Sequence, residues 1–223
     1  MIATRVGYAG GLAANPTYQK VCSNRMYKDY VEALSIEYDP SLLSYGALLD
    51  AYFSYTGGVR FPRTGAAPPS NARKAPPLAA STRFRPKRQY APVIFTHDEA
   101  QHAIALSTLG GVRERYGEIA TVVEDLYQDT GTSFWDAEPY HQKWKLQKRR
   151  ELTMALALPD EGGLLGSAAT TLNAFAGGAI ETAMARRRLQ SLVDRRQLDP
   201  NTFEAVVREL ERPPVKAAGA WKR

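Results

Sequence analysis

The stretch Arg5-Val6-Gly7-Tyr8-Ala9-Gly10-Gly11 constrains this chain more than any other part of it. It reads as a strand that runs into a turn, because paired glycines admit backbone angles closed to other residues. Val31 to Tyr38 then mixes β-branched and aromatic residues until Asp39-Pro40 breaks the run. Residues 1–40 are therefore expected to form strand, glycine turn and strand. Ser41 is placed to cap a helix whose apolar positions Leu42, Leu43, Leu48, Leu49, Tyr52 and Phe53 recur at helical spacing, with Gly57-Gly58 ending it.

Further along, Pro92-Val93-Ile94-Phe95 is a short buried strand candidate. Thr96 with Glu99 is expected to form a capping box for a helix containing Ala100, Ile104, Ala105, Leu106 and Leu109. Ile119 to Leu126 is strand-like, and Phe134 to about Leu152 is expected to be helical or turn-rich. After Pro159, glycines and an Ala/Thr-rich run lead into an amphipathic basic segment, Ile180–Val193. Asp199-Pro200 caps a last helix with Phe203, Val206, Val207 and Leu210 on one face. The pattern predicts a mixed α/β domain over residues 1–155 and a helical C-terminal extension over 156–223.

The net charge of +6 is unevenly placed. From Ala51 to His97 there is no Asp or Glu, while eight basic residues fall between Arg60 and Arg88, so the rest of the chain is slightly acidic. Seven of the fourteen prolines lie between Arg60 and Pro92, which suits an exposed, irregular insertion at about 60–88. Its cations attract phosphates nonspecifically. Single-strand recognition, however, interleaves aromatics for base stacking, and only Phe61, Phe84 and Tyr90 are at hand. A solvated insertion is the preferred reading and a nucleic acid is not an expected partner; an anionic partner bound by the loop is the alternative.

No apolar run approaches the roughly 20 residues that span a membrane, and no secretory signal opens the chain. The basic Arg186-Arg187-Arg188 and Arg195-Arg196 segment reads as a solvated helix face. Cys22 is the only cysteine, which excludes an intramolecular disulfide, a Cys-rich zinc site and a dithiol relay within the chain. With three dispersed histidines, a metal site is not expected.

Arg5 to Gly11, Asn15-Pro16-Thr17-Tyr18, Val21-Cys22-Ser23, Glu32 and Glu37-Tyr38-Asp39-Pro40 together closely resemble the A-type peptide-methionine (S)-S-oxide reductases. A second match, Ala137-Glu138-Pro139-Tyr140-His141-Gln142, is similar to that family's A-E-D-Y-H-Q segment. The resemblance covers roughly residues 4–56 and 89–155. It implies an α/β sandwich of the ferredoxin-like kind, with a central mixed sheet flanked by helices. It also implies thiol-dependent reduction of methionine-S-sulfoxide, free or in proteins, in repair of oxidative damage. No bound cofactor is implied, only an external reductant of the thioredoxin kind.

In the family the attacking cysteine sits in a glycine-flanked Cys-Phe-Trp motif some tens of residues before the glycine turn. Here only Met1-Ile2-Ala3-Thr4 precede it. The chain is therefore expected to lack the nucleophile, with the first strand and helix of the fold, as an incomplete chain. The alternative is a non-catalytic relative that binds oxidised-methionine peptides. Any targeting segment would lie in the missing part. A soluble intracellular location, cytoplasmic or organellar, is the expectation.

Reducing a sulfoxide requires a soft nucleophile at sulfur, an acid for the departing oxygen, and donors that stabilise that oxygen as it gains charge. The resemblance gives Tyr18 the role of an oxygen-binding hydroxyl, Glu32 that of a buried acid and Tyr90 that of the second hydroxyl. Tyr18 stands in the family's N-P-T-Y segment, while the other two depart from the family pattern: Asp29-Tyr30-Val31-Glu32 stands for G-H-A-E, and Gln89-Tyr90-Ala91-Pro92 for Q-Y-R-S. An aspartate of the family aligns with Arg85. Taken singly, Tyr18, Glu32 and Tyr90 also read as a turn aromatic, a solvated strand residue and loop packing. Glu138 and His141 correspond to a hydrogen-bond network near the family's nucleophile, and a structural histidine satisfied by Glu138 is the preferred reading of the second. Cys22 matches the V-C-S position, not the nucleophile's, and is expected to pack as a small apolar residue.

Overall fold

The computed structural model describes residues 3–56, 87–117, 119–126, 133–157 and 161–212. The basic segment expected as an insertion lies outside them except for Lys87 and Arg88, as do Gly57 and Gly58. The chain divides into two compact units, one of Met1 with Arg5–Glu138 and one of Ile2–Thr4 with Pro139–Arg223.

The strands are β1 (Ala3–Ala9), β2 (Val31–Glu37), β3 (Val93–Thr96), β4 (Val122–Asp125) and β5 (Trp135–Asp136). The first unit's helices are α1 (Tyr18–Ser23), α2 (Tyr45–Thr56) and α3 (Glu99–Tyr116). One sheet has the order β2-β1-β5, and β3 pairs with β4 separately. β1 and β5 run antiparallel, with Gly7 opposite Asp136 and Tyr8 opposite Trp135. β3 and β4 run parallel, from Val93 opposite Val122 to Thr96 opposite Asp125. The class is mixed α/β, as the sequence predicts.

The opening glycines are required by close approach. A Cβ on Gly7 would lie 2.1 Å from the Trp135 carbonyl oxygen and 2.5 Å from the Phe134 ring. One on Gly11 would lie 2.3 Å from the ring of Tyr30. Tyr30 is buried and its hydroxyl donates to the Ala13 carbonyl at 2.5 Å, while Tyr27 donates to the Ala14 carbonyl at 3.0 Å. The loop after β1 is thus folded down over two tyrosines and delivered at Tyr18.

Two apolar clusters hold this unit. Tyr8, Val21, Tyr30 and Ala137 pack between the three-stranded sheet and α1. Leu49 and Phe53 of α2, Ile94 of β3, Ala105 and Leu109 of α3, and Ile119 form the other. Burying each large aliphatic or aromatic side chain contributes about 1.5–3 kcal/mol, enough to fix short strands that have little stability of their own.

Three local expectations are corrected. Ser41 does not cap α2: its N–H and hydroxyl both bond Asp39 Oδ1, at 2.9 and 2.6 Å, in a turn that leaves Leu42 exposed. Ser44 takes the cap instead, accepting from the Ala47 N–H at 3.2 Å. Thr96 does not cap α3, because it is the last residue of β3, fully buried, with its hydroxyl donating to Asp125 Oδ1 at 2.9 Å. Asp98 caps α3, accepting from the Gln101 N–H at 2.7 Å, and Gln101 Oε1 accepts from the His97 N–H at 3.1 Å. Finally, the segment after Phe134 begins as β5, since β1 offers it a strand edge and the Ala137 N–H bonds the Val6 carbonyl at 3.0 Å.

The second unit is helical: α4 (Trp144–Gln147), α5 (Arg150–Ala155), α6 (Ser167–Ala176), α7 (Thr182–Asp194) and α8 (Pro200–Glu211). Its core joins Leu146, Leu152, Leu172, Leu189, Phe203 and Val206 with their neighbours. α8 is capped by Asp199, which accepts from the Thr202 N–H at 2.9 Å, and buries the four apolar residues read from the sequence. Asn173 Oδ1 accepts from the Lys145 and Leu146 N–H groups at 3.1 Å, so α6 caps α4. Among the described residues no helix is long and apolar enough to cross a membrane.

Candidate functional site

Tyr18 is the first residue of α1, whose N-cap Thr17 is extended and accepts from the Lys20 N–H at 3.3 Å. The Tyr18 N–H, which the helix leaves without an internal partner, donates to Glu138 Oε1 at 2.8 Å. The other oxygen of Glu138 accepts from the Tyr8 hydroxyl at 2.9 Å. Glu138 therefore fixes the start of α1 against β1, and through it the base of the Tyr18 side chain.

One helical turn on, Cys22 faces the Tyr18 phenol and hydrogen-bonds it. The phenol pKa is raised, first by that bond and the charge of Cys22, then by Tyr90, by burial and by Glu32. Gln89 closes the group. Its carboxamide is buried, and Nε2 donates to Glu32 Oε1 at 3.2 Å and to Cys22 Sγ at 3.4 Å. Tyr18, Cys22, Glu32, Gln89 and Tyr90 thus converge from α1, β2 and the 3₁₀ turn Arg88–Tyr90.

That turn is pinned by Arg88. Its guanidinium donates to both oxygens of Glu124 on β4, at 2.7 and 2.5 Å, and through Nε to the Asp29 carbonyl at 3.2 Å. The bonded carboxylate pushes the guanidinium pKa up. A planar fork meeting a carboxylate in two bonds sets orientation as well as distance. Gln89 and Tyr90 are consequently tied to strand β4.

The three sequence-predicted oxygen-site residues, Tyr18, Glu32 and Tyr90, are brought together. Glu32, expected to be buried, is exposed, because it occupies the outward face of an edge strand; Tyr18 and Tyr90 are 43% and 51% exposed. Desolvation is therefore not what would keep this carboxyl protonated. Of the second motif, Glu138 supports Tyr18 as described. His141 belongs to the second unit, where its ring lies 4.2 Å from that of Tyr140, centroid to centroid. Sequence reasoning missed Gln89 and the Arg88–Glu124 pair. The one available signal was the position of Gln89 beside Tyr90. Cys22, expected to pack as a small apolar residue, is instead half-buried and accepts from the Gln89 carboxamide. Among the described residues no cluster of His, Cys, Asp and Glu is arranged to hold a metal ion.

A family model described as peptide methionine sulfoxide reductase matches residues 1–67 and 80–161. The peptide methionine sulfoxide reductase of Drosophila melanogaster is 31% identical over 179 residues, covering 80% of this chain and 60% of the fly protein. Peptide methionine sulfoxide reductase MsrA of Ligilactobacillus salivarius is 34% identical over 147 residues, covering 64% of this chain and 70% of its own. Peptide methionine sulfoxide reductase A5 of Oryza sativa subsp. japonica is 28% identical over 195 residues, covering 87% and 66%. The chain thus spans between 60% and 70% of the length of these relatives.

Proposed function

The chain belongs to the peptide methionine sulfoxide reductase family, and from that premise we propose that its site binds the oxygen of methionine-S-sulfoxide for thiol-dependent reduction. Residues 1–155 act as the reductase-like domain, and 156–223 as a helical extension. Glu32 is the acid, and the Tyr18 and Tyr90 hydroxyls are the donors that hold the sulfoxide oxygen. As a thiolate attacks sulfur, the oxygen gains charge, takes a proton and passes to the attacking sulfur, which becomes a sulfenic acid as methionine is released. One reductant thiol condenses with the sulfenic acid, expelling water and forming a disulfide, and a second thiol reduces that disulfide. A reductant of the thioredoxin class supplies the two thiols that regenerate the attacking one. Cys22, bonded by Tyr18 and Gln89 inside the donor cluster, stands on the oxygen side and is not the attacking sulfur.

The observation that carries this reading is the convergence of Tyr18, Glu32 and Tyr90, which come from three separate elements and match the family's motifs in order. The test is a calorimetric titration with a peptide containing methionine-S-sulfoxide. Binding is expected to exceed that of the R epimer and of the reduced peptide, and Glu32→Gln or Tyr18→Phe should weaken it about tenfold. Equal affinity for both epimers would refute the assignment. In a dithiothreitol-driven assay this chain is expected to give no turnover, and Cys22→Ser to change nothing. Turnover lost on that substitution would make Cys22 the nucleophile.

A further inference from the structure

Between Pro139 and Arg150 the chain carries five basic residues and no acidic one. Lys143 is buried, whereas Lys145, Lys148, Arg149 and Arg150 are all exposed, on α4, the start of α5 and the link between them. The neighbouring helix α6 has no ionisable side chain, and none of these four cations has a carboxylate partner among the described residues. Three of them lie over aromatic rings instead. The Lys148 and Lys145 ammoniums stand 4.2 and 5.0 Å from the centre of the Trp144 ring, and the Arg149 guanidinium 5.9 Å from that of Phe175. A ring attracts a cation through its electron-rich face and takes up none of its N–H groups as a carboxylate would. These charges are thus held in place with their donors unspent. The backbone beneath them is fixed as well: Asn173 of α6 accepts from the Lys145 N–H at 3.1 Å, and the Gln147 carboxamide donates to the Pro139 carbonyl at 2.8 Å.

We propose that this face of the second unit is a docking surface for an acidic, extended segment of a partner protein, whose side-chain carboxylates are taken by Lys145, Lys148, Arg149 and Arg150. Four like charges this close in the chain repel one another, and a run of carboxylates offsets that repulsion while supplying acceptors for the N–H groups. The aromatic residues decide against other polyanions. A single-stranded nucleic acid needs open aromatic faces on which bases stack, whereas those of Trp144 and Phe175 hold cations. Duplex binding draws on roughly 6–10 phosphate contacts, more than this surface makes. A lipid surface needs an apolar face that projects beyond the charges, whereas Leu146 is buried and Trp144 lies beneath two ammoniums. The surface is built from the second unit alone, and its role does not depend on the sulfoxide-binding reading.

The experiment titrates the full chain with a fluorescein-labelled oligoglutamate peptide at low ionic strength, followed by anisotropy. Binding is expected, and it should weaken as salt is added. Lys148→Gln combined with Arg149→Gln should lower the affinity about tenfold. Trp144→Leu, which removes the ring and no charge, should lower it about threefold. The double glutamine variant changes only exposed side chains, so it carries the test even where Trp144→Leu fails to fold. Two controls remove the same charge elsewhere: Arg187→Gln with Arg188→Gln on α7, and Arg83→Gln with Arg85→Gln in the basic segment read from the sequence. Both should leave the affinity unchanged. Equal losses in the controls would reduce the effect to net charge and overturn the proposal, as would failure of the peptide to bind. Tighter binding of an oligothymidylate of equal charge, or of vesicles of phosphatidylserine and phosphatidylcholine in equal parts, would overturn the choice of a protein segment as the partner.

Discussion

Tyr18 titrates under the influence of three side chains, and Cys22 dominates the rise in its pKa. Removing the sulfur in Cys22→Ala should therefore bring the phenol back toward its ordinary value. The measurement is a pH titration of ring-labelled tyrosine by carbon NMR, with Tyr18→Phe to assign the signal; an unchanged midpoint would contradict the bond. A second single-residue expectation concerns Gly11. Its substitution by alanine forces a methyl group into the Tyr30 ring and should destabilise the fold by about 1–3 kcal/mol in chemical denaturation. Tyr18, Glu32 and Tyr90 were legible because each stands in a recognisable run of residues. Gln89 was not, since its partners lie 67 and 57 residues away and a glutamine carries no charge or titration to mark it.

Among the elements, α3 shows why caps mislead. Thr96 and Asp98 are both good N-cap residues, and Glu99 three places after Thr96 imitates a capping box. The choice is made by Asp125 on β4, 29 residues further on, which takes the Thr96 hydroxyl into the end of the parallel pair. Asp98→Ala should accordingly cost about 1 kcal/mol by releasing the Gln101 N–H, measured by thermal melting. The 3₁₀ turn Arg88–Tyr90 offers a parallel case. Arg88→Met removes its clamp on Glu124, and the amides of Tyr90 and Ala91 should then exchange with solvent faster than in the unsubstituted chain while those of α3 do not. Equal exchange in both proteins would deny Arg88 its role. The sequence could not reveal this pair, because a strand-edge glutamate and a basic loop residue become neighbours only after β3 and β4 align.

For the molecule as a whole, the mixed α/β class was readable from periodicity and motif, whereas the partition into three separate apolar clusters depends on which strands find each other. Two buried groups make stability depend on alkaline pH in opposite senses. Lys143 in the second unit is 5% exposed, donates to the Thr4 carbonyl, and is pushed down to about 8 by burial from 10.5. The unfolded chain keeps that proton to higher pH, so stability of this unit should rise between about pH 8 and 10.5 and lose this increment on return to neutrality. Lys143→Met should flatten the rise in urea titrations. Tyr45 in the first unit has a buried hydroxyl with no hydrogen-bond partner among the described residues and is pushed up to about 12 by burial. That unit should weaken above pH 10, where the unfolded phenol ionises first. Denaturation curves without these opposed trends would show that neither group is held as described.

A chain with one thiol, and that thiol set beside Tyr18 and Gln89, comes with a spectroscopic address already installed. A small fluorine-bearing or fluorescent tag attached at Cys22 would need no background mutations, would be unique in the spectrum, and would sit within hydrogen-bonding distance of Gln89. It would register changes at the mouth of the site in mixtures too crude for calorimetry, so occupancy could be followed in real time.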